Sequence, residues 1–161
     1  YCYLVASTVG LMCLPIFGST DPRTQKHGID LGLAMQITNI LRDIGEDAAR
    51  DRIYIPQADL KRHGYTEEEL KAGIVNGAFR SLVRQQIERA RSLYESGYKL
   101  LQYVPKKTRA CPKLMHDVYK SILDKIEEAD YDVFSQRIGP TPLEKWRMVA
   151  NLWKHTVLSK A

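Results

Sequence analysis

Residues 26–48 combine two patterns that an ordinary surface helix does not carry together. Apolar residues recur at helical spacing and predict a buried face, namely Ile37, Ile40, Leu41 and Ile44. Polar residues spaced by three, four and four positions form a column beside that face, namely Gln36, Asn39, Asp43 and Asp47. A helix this apolar, with short carboxylates and amides along one side, is expected to pack inside a larger helical assembly.

The polar column has two interpretations from its spacing alone. A solvent-facing stripe is common on helices, although such a stripe would normally carry lysine and glutamate pairs. The alternative is a cation site, since Asn39, Asp43 and Asp47 lie one turn apart and each carries a side-chain oxygen. Mg²⁺ prefers oxygen ligands and usually shares them with substrate phosphates. Arg42, beside the column, adds a guanidinium that suits phosphate oxygens.

The rest of the chain predicts further helices and no convincing strand. Helices are expected up to Pro15, from about Lys26 to Ala48, over "PQADLKRH", after a Thr66–Glu69 capping box, and over about 78–103, 113–134 and 143–158. The stretch before Pro56 is expected to be extended or looped. We therefore predict a single all-α domain of long helices around a common core.

Residues 1–20 carry no charged side chain. They lack the basic start of a signal peptide. Their apolar run is near the lower limit for a membrane span, and Gly10 and Pro15 interrupt it. We expect a buried core helix rather than a span.

Charge and cysteine usage exclude some classes of function. A net charge of +5 suits an anionic substrate or an anionic membrane surface. The basic residues are scattered without interleaved aromatics, which disfavours nucleic acid. Cys2, Cys13 and Cys111 form no C-x-x-C pair, which indicates a reducing compartment rather than a disulfide frame or a zinc site. We expect a cytoplasmic protein, with peripheral association with a membrane as a further option.

Three stretches resemble segments of the squalene and phytoene synthase family. "NILRDIGEDAARDRIYIP" is similar to that family's second aspartate-rich motif, and "YCYLVASTVG" to the Tyr-rich segment before it. "DVYKSILDKIEEADYDVFSQR" resembles a later segment. Together they span residues 1–137, which is most of the chain. One departure is Ser7, where many family members have glycine, and we interpret it as tolerated.

The resemblance implies an isoprenoid-synthase helical bundle and a reaction. Family enzymes join two prenyl diphosphates head to head through a cyclopropyl diphosphate, with Mg²⁺ as cofactor and Mn²⁺ as an alternative. Two geranylgeranyl diphosphates would give phytoene, and two farnesyl diphosphates squalene or dehydrosqualene, in carotenoid or triterpenoid biosynthesis. The sequence leaves open the substrate length, the use of NADPH and the oligomeric state.

The resemblance also assigns roles to residues. It implies that Asn39, Asp43 and Asp47 bind Mg²⁺, and that Gln36 and Arg42 contact the diphosphate or its metal shell. It implies that Tyr1, Tyr54, Tyr119 and Arg137 lie near the reacting end, with Tyr1 and Tyr119 grouped with Asp43 and Asp47 as catalytic. Val5 and Val9 would line the prenyl chain.

The family's first aspartate-rich motif has no counterpart in these residues. We therefore expect the chain to be the C-terminal part of one catalytic domain, and residues 1–161 alone to be inactive. A class I terpene cyclase and a non-catalytic helical interaction module remain as alternatives. The Tyr-rich segment and "RDRIYIP" argue against a cyclase, and Mg²⁺-dependent binding of a diphosphate analogue would exclude a scaffold.

Overall fold

The computed structural model describes residues 1–158, with side chains for residues 1–151, and this part of the chain is helical without strands. A π-helical turn at Tyr3–Ser7 leads into the first helix. The helices are α1 (Thr8–Ile16), α2 (Arg23–Arg42), α3 (Ile44–Ala48), α4 (Gln57–His63), α5 (Glu67–Lys71), α6 (Gly77–Tyr98), α7 (Leu100–Tyr103), α8 (Ala110–Glu128) and α9 (Pro142–Leu158). A short 3₁₀ turn at Lys106–Thr108 precedes α8. The prediction of an all-α fold is confirmed.

The central helix is α2, which packs against α1, α6 and α8. Its apolar side supplies Ile37, Ile40 and Leu41 to the core, as the periodicity predicted. The facing side of α6 is fully buried and contributes Phe79, Leu82, Val83, Ile87, Ala90 and Tyr94. A helix surrounded in this way holds any side chains at its C-terminal end in fixed positions.

The long helix expected up to Ala48 is interrupted at Asp43. This residue has φ −100° and ψ 9°, outside the helical region, so α2 ends at Arg42 and α3 begins at Ile44. The hydrogen bonds continue across the break, from Asp43 N to Asn39 O at 2.9 Å and from Asp47 N to Asp43 O at 2.8 Å. The polar column therefore persists through a local distortion rather than a change of direction.

Two other helix boundaries differ from the predictions. The helix expected over 78–103 is divided at Lys99 into α6 and α7. The helix expected over 113–134 is wrong at its end, because α8 stops at Glu128 and Asp130 and Tyr131 adopt φ values of 50° and 65°. The segment that follows turns back towards α3.

The predicted capping box is confirmed. Thr66 accepts a hydrogen bond from Glu69 N at 3.1 Å, and Glu69 accepts one from Thr66 N at 2.9 Å. Gly73, with φ 67°, closes the turn after α5.

Residues 1–20 do not form a buried core helix, so that prediction is wrong. Ser7 and Leu14 are buried, but Leu4 and Ile16 are 71% and 76% exposed. The helix also continues through Pro15 to Ile16, because proline removes only the N–H that would donate to the Leu11 carbonyl one turn earlier. Within residues 1–158, no helix is long and apolar enough to cross a membrane.

α1 approaches α2 very closely at Gly32. A Cβ at Gly32 would lie 2.8 Å from Ser7 Cα and 2.9 Å from Ser7 N. Ser7 itself is fully buried and donates its hydroxyl to the Ile29 carbonyl at 3.0 Å. The hydroxyl thus has a partner where many family members have glycine, which fits the interpretation that serine is tolerated.

Candidate metal and anion site

The polar column begins at the rim of a cavity between α1 and α2. Gln36 and Asn39 are the polar members of the cavity wall. The Asn39 amide nitrogen makes a long contact of 3.5 Å to Gln36 Oε1. Asn39 Oδ1 is buried, and within the described part of the chain no donor reaches it. An orphaned buried acceptor is costly, and a bound cation would satisfy it.

Arg42 and Asp43 form a bidentate ion pair at the break between α2 and α3. Arg42 Nε lies 2.7 Å from Asp43 Oδ1, and one terminal nitrogen lies 2.6 Å from Oδ2. Both side chains are about one-fifth exposed. Hydrogen bonding to Asp43 is the main cause that raises the pKa of Arg42, so the guanidinium stays charged. The pair fixes the direction of the Asp43 carboxylate.

Asp47 lies near a pair of stacked tyrosines. The rings of Tyr1 and Tyr54 lie 4.8 Å apart at an angle of 22°. A hydrogen bond with Tyr54 raises the pKa of Tyr1, and the negative charge of Asp47 adds to this shift. The pKa of Asp47 is also raised, first by desolvation and then by the charge of Asp43. A second positive charge near Asp43 and Asp47 would relieve this repulsion.

The cavity beside the column is mainly apolar and has a volume of about 240 Å³. Val5 and Val9 line it from the π-helical turn and α1, as do Cys13 and Phe17 further along. Small residues in its wall allow α1 and α2 to approach each other closely, namely Ala6, Gly10, Gly28 and Gly32. Such a cavity suits a hydrocarbon chain whose polar end lies at Gln36 and Asn39.

A second cavity of about 500 Å³ is cationic. Its charged lining residues are Arg42, Arg137 and Lys145, and Tyr119 stands among them. Arg137 and Lys145 are exposed, while Arg42 is held by Asp43. Three cations and a phenol on one concave surface favour an anion with several oxygens, such as a diphosphate.

Close packing and ion pairs position the cationic cavity. A Cβ at Gly45 would lie 3.0 Å from the Val133 carbonyl oxygen, so the segment after α8 rests directly on α3. Arg137 then reaches Glu46 at 3.5 Å. On the other side, Lys125 of α8 pairs with Glu144 of α9 at 2.9 Å, next to Lys145.

The predicted site residues fall into three groups around the end of α2. Gln36, Asn39, Val5 and Val9 line the apolar cavity; Asp47, Tyr1 and Tyr54 are neighbours; and Arg42, Tyr119 and Arg137 line the cationic cavity. Among the described residues, the two cavities share no lining side chain. Arg42 of the third group pairs with Asp43, whose charge also acts on Asp47 of the second group.

Sequence reasoning missed Lys145 and Phe17. Lys145 lies in a helix that shows no functional pattern, and the packing of α9 on α8, which includes the Lys125–Glu144 pair, brings it to the cationic cavity. Phe17 follows Val5, Val9 and Cys13 at four-residue intervals, a spacing that could have revealed it.

The donor set fits a magnesium site that is shared with a ligand. Asn39, Asp43 and Asp47 supply three oxygen-bearing side chains one turn apart. Asn39 Oδ1 has no hydrogen-bond partner in the described structure. The described residues contain no cluster of three His, Cys, Asp or Glu side chains that would hold a metal alone. Mg²⁺ commonly keeps its remaining positions for water and substrate phosphates, which agrees with this partial set.

Comparisons with solved structures identify the fold. A dehydrosqualene synthase solved with a ligand superposes on 100% of this chain and 56% of its own, with a TM-score of 0.87 and 28% identity. Squalene synthase HpnC from Alicyclobacillus acidocaldarius superposes on 82% of this chain and 50% of its own, with a TM-score of 0.78 and 31% identity. The fold is therefore that of the helical isoprenoid synthases.

Comparisons of sequence agree with the structural ones. The chain is 38% identical to 15-cis-phytoene synthase of Synechococcus elongatus, over 94% of this chain and 52% of that protein. It is 43% identical to phytoene synthase of Arthrospira platensis, over 85% of this chain and 48% of that protein. It thus spans about half the length of these relatives. A family model described as squalene/phytoene synthase matches residues 1–147, and the chain belongs to that family.

Proposed function

We propose that this chain forms one wall of an enzyme that condenses two prenyl diphosphates head to head. The preferred substrate is geranylgeranyl diphosphate and the product phytoene, because the curated relatives are named phytoene synthase. Farnesyl diphosphate, giving squalene or dehydrosqualene, is the second candidate, since the similar solved structures carry those names. The observation that carries the proposal is a polar column, with an orphaned acceptor, at the mouth of an apolar cavity.

The proposed role of the column is to hold the diphosphate head through metal. Asn39, Asp43 and Asp47 would bind Mg²⁺, and Arg42 would keep the Asp43 carboxylate in place. Bound Mg²⁺ supplies positive charge that stabilises the pyrophosphate leaving group. Gln36, one turn before Asn39, would orient the amide at the cavity rim.

The cationic cavity is the proposed place for diphosphate oxygens that the column does not hold. Arg137 and Lys145 are exposed there and can approach a ligand without losing a buried partner. Preorganised positive charge around a departing anion is often the largest contribution to catalysis. Tyr119, in the same cavity, can donate a hydrogen bond to a phosphate oxygen.

Tyrosine rings would face the carbon centre that becomes cationic. Tyr1 and Tyr54 stack beside Asp47, which is where the head and the tail of a bound substrate would meet. An aromatic face stabilises a nearby cation electrostatically. A phenol is protonated at neutral pH and is then a poor nucleophile towards that cation, and the hydrogen bond with Tyr54 raises the pKa of Tyr1 further.

The apolar cavity would hold a prenyl tail and exclude water from it. Val5 and Val9 contact the space along one side, and Leu31 and Met35 along the other. Excluding water protects a reactive cation from hydrolysis. A scaffold has no need for this cavity, and a terpene cyclase does not fit the family to which the chain belongs.

Product analysis of the full-length protein tests this proposal. The purified protein is incubated with geranylgeranyl or farnesyl diphosphate and Mg²⁺, with and without NADPH, and hydrocarbons and pyrophosphate are measured. We expect phytoene from geranylgeranyl diphosphate only when Mg²⁺ is present. Cyclised products from a single diphosphate would indicate a cyclase, and no hydrocarbon from either substrate would contradict the proposal.

We further propose a peripheral contact with anionic membranes. Residues 98–113 carry five cations and no acid, namely Lys99, Lys106, Lys107, Arg109 and Lys113. Such a run is attracted to anionic lipid within a Debye length. Pelleting with phosphatidylglycerol vesicles at low salt, but not with phosphatidylcholine vesicles, would support it, whereas no pelleting with either lipid would contradict it.

A further inference from the structure

Arg137 reaches the cationic cavity from a loop rather than from a helix. It lies in the loop of residues 129–141, between α8 and α9, and its side chain is 67% exposed. Among the described side chains, its one ion pair is with Glu46, at 3.5 Å. A long contact between exposed ions holds a side chain only weakly. The position of Arg137 must therefore come from the backbone on either side of it.

Phe134 anchors this loop three residues before Arg137. A Cβ at Gly45 would lie 3.4 Å from Phe134 Cδ1, and a Cβ at Gly73 would lie 3.4 Å from Phe134 Cγ. The ring therefore lies against two positions without a side chain, one on α3 and one in the turn after α5. It also packs against Phe79 of α6, with ring centroids 5.2 Å apart at an angle of 43°. Three separate elements thus hold one side chain.

The backbone around Phe134 is held as well. Asp132 Oδ1 accepts hydrogen bonds from the amides of Phe134 and Ser135, both at 3.0 Å. Hydrogen bonding with Ser135 is the main cause that lowers the pKa of Asp132, so the carboxylate stays charged. On the other side of Arg137, Ile138 is buried. Arg137 thus lies on a short span between two anchored residues.

The anchor connects the loop to the helix that carries two of the proposed metal ligands. Gly45 lies midway between Asp43 and Asp47, and at about 100° per residue it is on the opposite side of α3 from both carboxylates. Backbone hydrogen bonds continue from α2 into α3 across Asp43, so α3 is itself fixed. Through its contact with Gly45, Phe134 places Arg137 relative to this helix.

We propose that Phe134 is a positioning residue, which holds Arg137 at a fixed distance from the carboxylates of α3. The inference rests on the proposed function for the identity of the ligand as a prenyl diphosphate. A metal on one side and a guanidinium on the other can share one diphosphate only when their separation suits it. Among the described residues Phe134 lines neither cavity, so its effect on binding passes through Arg137.

A double-mutant cycle tests whether Phe134 acts through Arg137. The full-length protein is titrated calorimetrically, with Mg²⁺ present, with the unreactive thiolo analogue of geranylgeranyl diphosphate. For Phe134→Leu we expect the affinity to fall at least about fivefold, within the range for residues coupled through a shared backbone shift. Arg137→Gln should lower the affinity by at least as much. In the Arg137→Gln protein, adding Phe134→Leu should cause no further loss, whereas losses that multiply would overturn the inference.

Ile87→Val is the matched control for loss of packing. Ile87 is fully buried on α6 and lines neither cavity, so the substitution should lower the free energy of unfolding in urea without changing the affinity. An equal loss of affinity in Ile87→Val would assign the effect to general destabilisation and overturn the inference. Unchanged affinity in a folded Phe134→Leu protein would overturn it as well. If Phe134→Leu does not fold, Phe134→Met, which fills the space without a ring, replaces it in the cycle and the same outcomes decide.

The same preparations separate the two proposals. If the unsubstituted protein binds the analogue but makes no hydrocarbon from any diphosphate, the proposed reaction is wrong and the cycle still decides on Phe134. If phytoene forms and the losses at Phe134 and Arg137 multiply, the reaction stands and the positioning role is wrong. Absence of binding to the unsubstituted protein would contradict both.

Discussion

Arg42 and Asp43 are adjacent in the chain, yet the guanidinium holds both oxygens of the carboxylate at 2.6–2.7 Å. Neighbouring side chains do not face each other within a regular helix. Here they meet because Asp43 leaves helical geometry, with φ −100° and ψ 9°. The break in the helix and the ion pair therefore act together to fix the orientation of the Asp43 carboxylate.

We predict that Arg42→Lys is not conservative. An ammonium cannot hold two carboxylate oxygens in a planar fork, so Asp43 loses its fixed direction. A charge-assisted pair of this kind contributes about 1.5–3 kcal/mol, which corresponds to a loss of about ten- to hundredfold in kcat/KM. Steady-state kinetics of the full-length protein would measure the change.

Arg62→Lys is the control for this substitution. Arg62 makes a single hydrogen bond of 2.7 Å to Asp59, far from the column, and lysine can replace it. Wild-type kinetics in Arg62→Lys with a marked loss in Arg42→Lys would support the assignment. Wild-type kinetics in both would make Arg42 a structural residue only.

Asn39→Leu should stabilise the protein while it removes metal binding. The buried Oδ1 lacks a hydrogen-bond partner in the described structure, and such a group costs about 1–3 kcal/mol. Urea unfolding without metal should show a higher free energy of unfolding for the variant. Calorimetry with Mg²⁺ and a diphosphate analogue should show weakened binding.

Thr38→Val provides the contrast to Asn39→Leu. The Thr38 hydroxyl is fully buried and makes two hydrogen bonds, of 2.8 Å with the Ala34 carbonyl and of 2.9 Å with the Tyr94 hydroxyl. Removing it should lower the free energy of unfolding. If Asn39→Leu also destabilised the protein and left metal binding intact, Asn39 would be a structural residue.

Gly32→Ala should destabilise the contact between α1 and α2. The added methyl would meet backbone atoms of Ser7 at 2.8–2.9 Å, and backbone cannot rotate away. Overpacking of this kind costs about 1–3 kcal/mol in free energy of unfolding, measurable in urea. Gly77→Ala is the matched control, since no atom lies within 4 Å of its Cβ position. An equal effect at the two sites would contradict this explanation.

Glu144 should make the attachment of α9 sensitive to acid. Its bond with Lys125, together with Thr141, lowers its pKa from 4.5 to about 2. A carboxyl with a lowered pKa stabilises the folded state above its ordinary pKa, and this contribution is lost as the pH falls from about 4.5 towards 2. Wild type and Glu144→Gln should therefore differ most near neutral pH.

Hydrogen exchange of the amides in α9 measures this difference. At pH 6 the Glu144→Gln variant should exchange faster than wild type, and the two should converge as the pH approaches 2. Glu128→Gln, an exposed position at the end of α8, should resemble wild type throughout. A difference between wild type and Glu144→Gln that is independent of pH would contradict this account.

Much of the fold could be predicted from the sequence because helices repeat their apolar residues at a regular interval. The buried side of α2 and the polar column both follow from that interval. The break at Asp43 could not be predicted, since Asp43 is neither proline nor glycine and its ion pair with Arg42 is not visible in the sequence. The exposed face of residues 1–20 also departs from the prediction, since apolar composition alone does not specify what covers a helix.

The candidate site was only partly accessible from the sequence. Residues on one helix could be grouped by spacing, as with Asn39, Asp43 and Asp47. The cationic cavity joins Arg42 to Arg137 and Lys145 through contacts distant in sequence. For Arg137 only the family resemblance gave a signal, and for Lys145 there was none.

The central claim is that Asp43 and Asp47 bind Mg²⁺ and that a diphosphate binds to this chain through the metal. The most direct measurement is calorimetric binding of the thiolo analogue of geranylgeranyl diphosphate to the full-length protein, with and without Mg²⁺, in wild type, Asp43→Asn and Asp47→Asn. We predict tight binding only in wild type with Mg²⁺, and at least about a tenfold loss in either variant, since each loses a charged ligand. Equal affinity with and without Mg²⁺ in wild type, or unchanged Mg²⁺-dependent affinity in both variants, would contradict the claim.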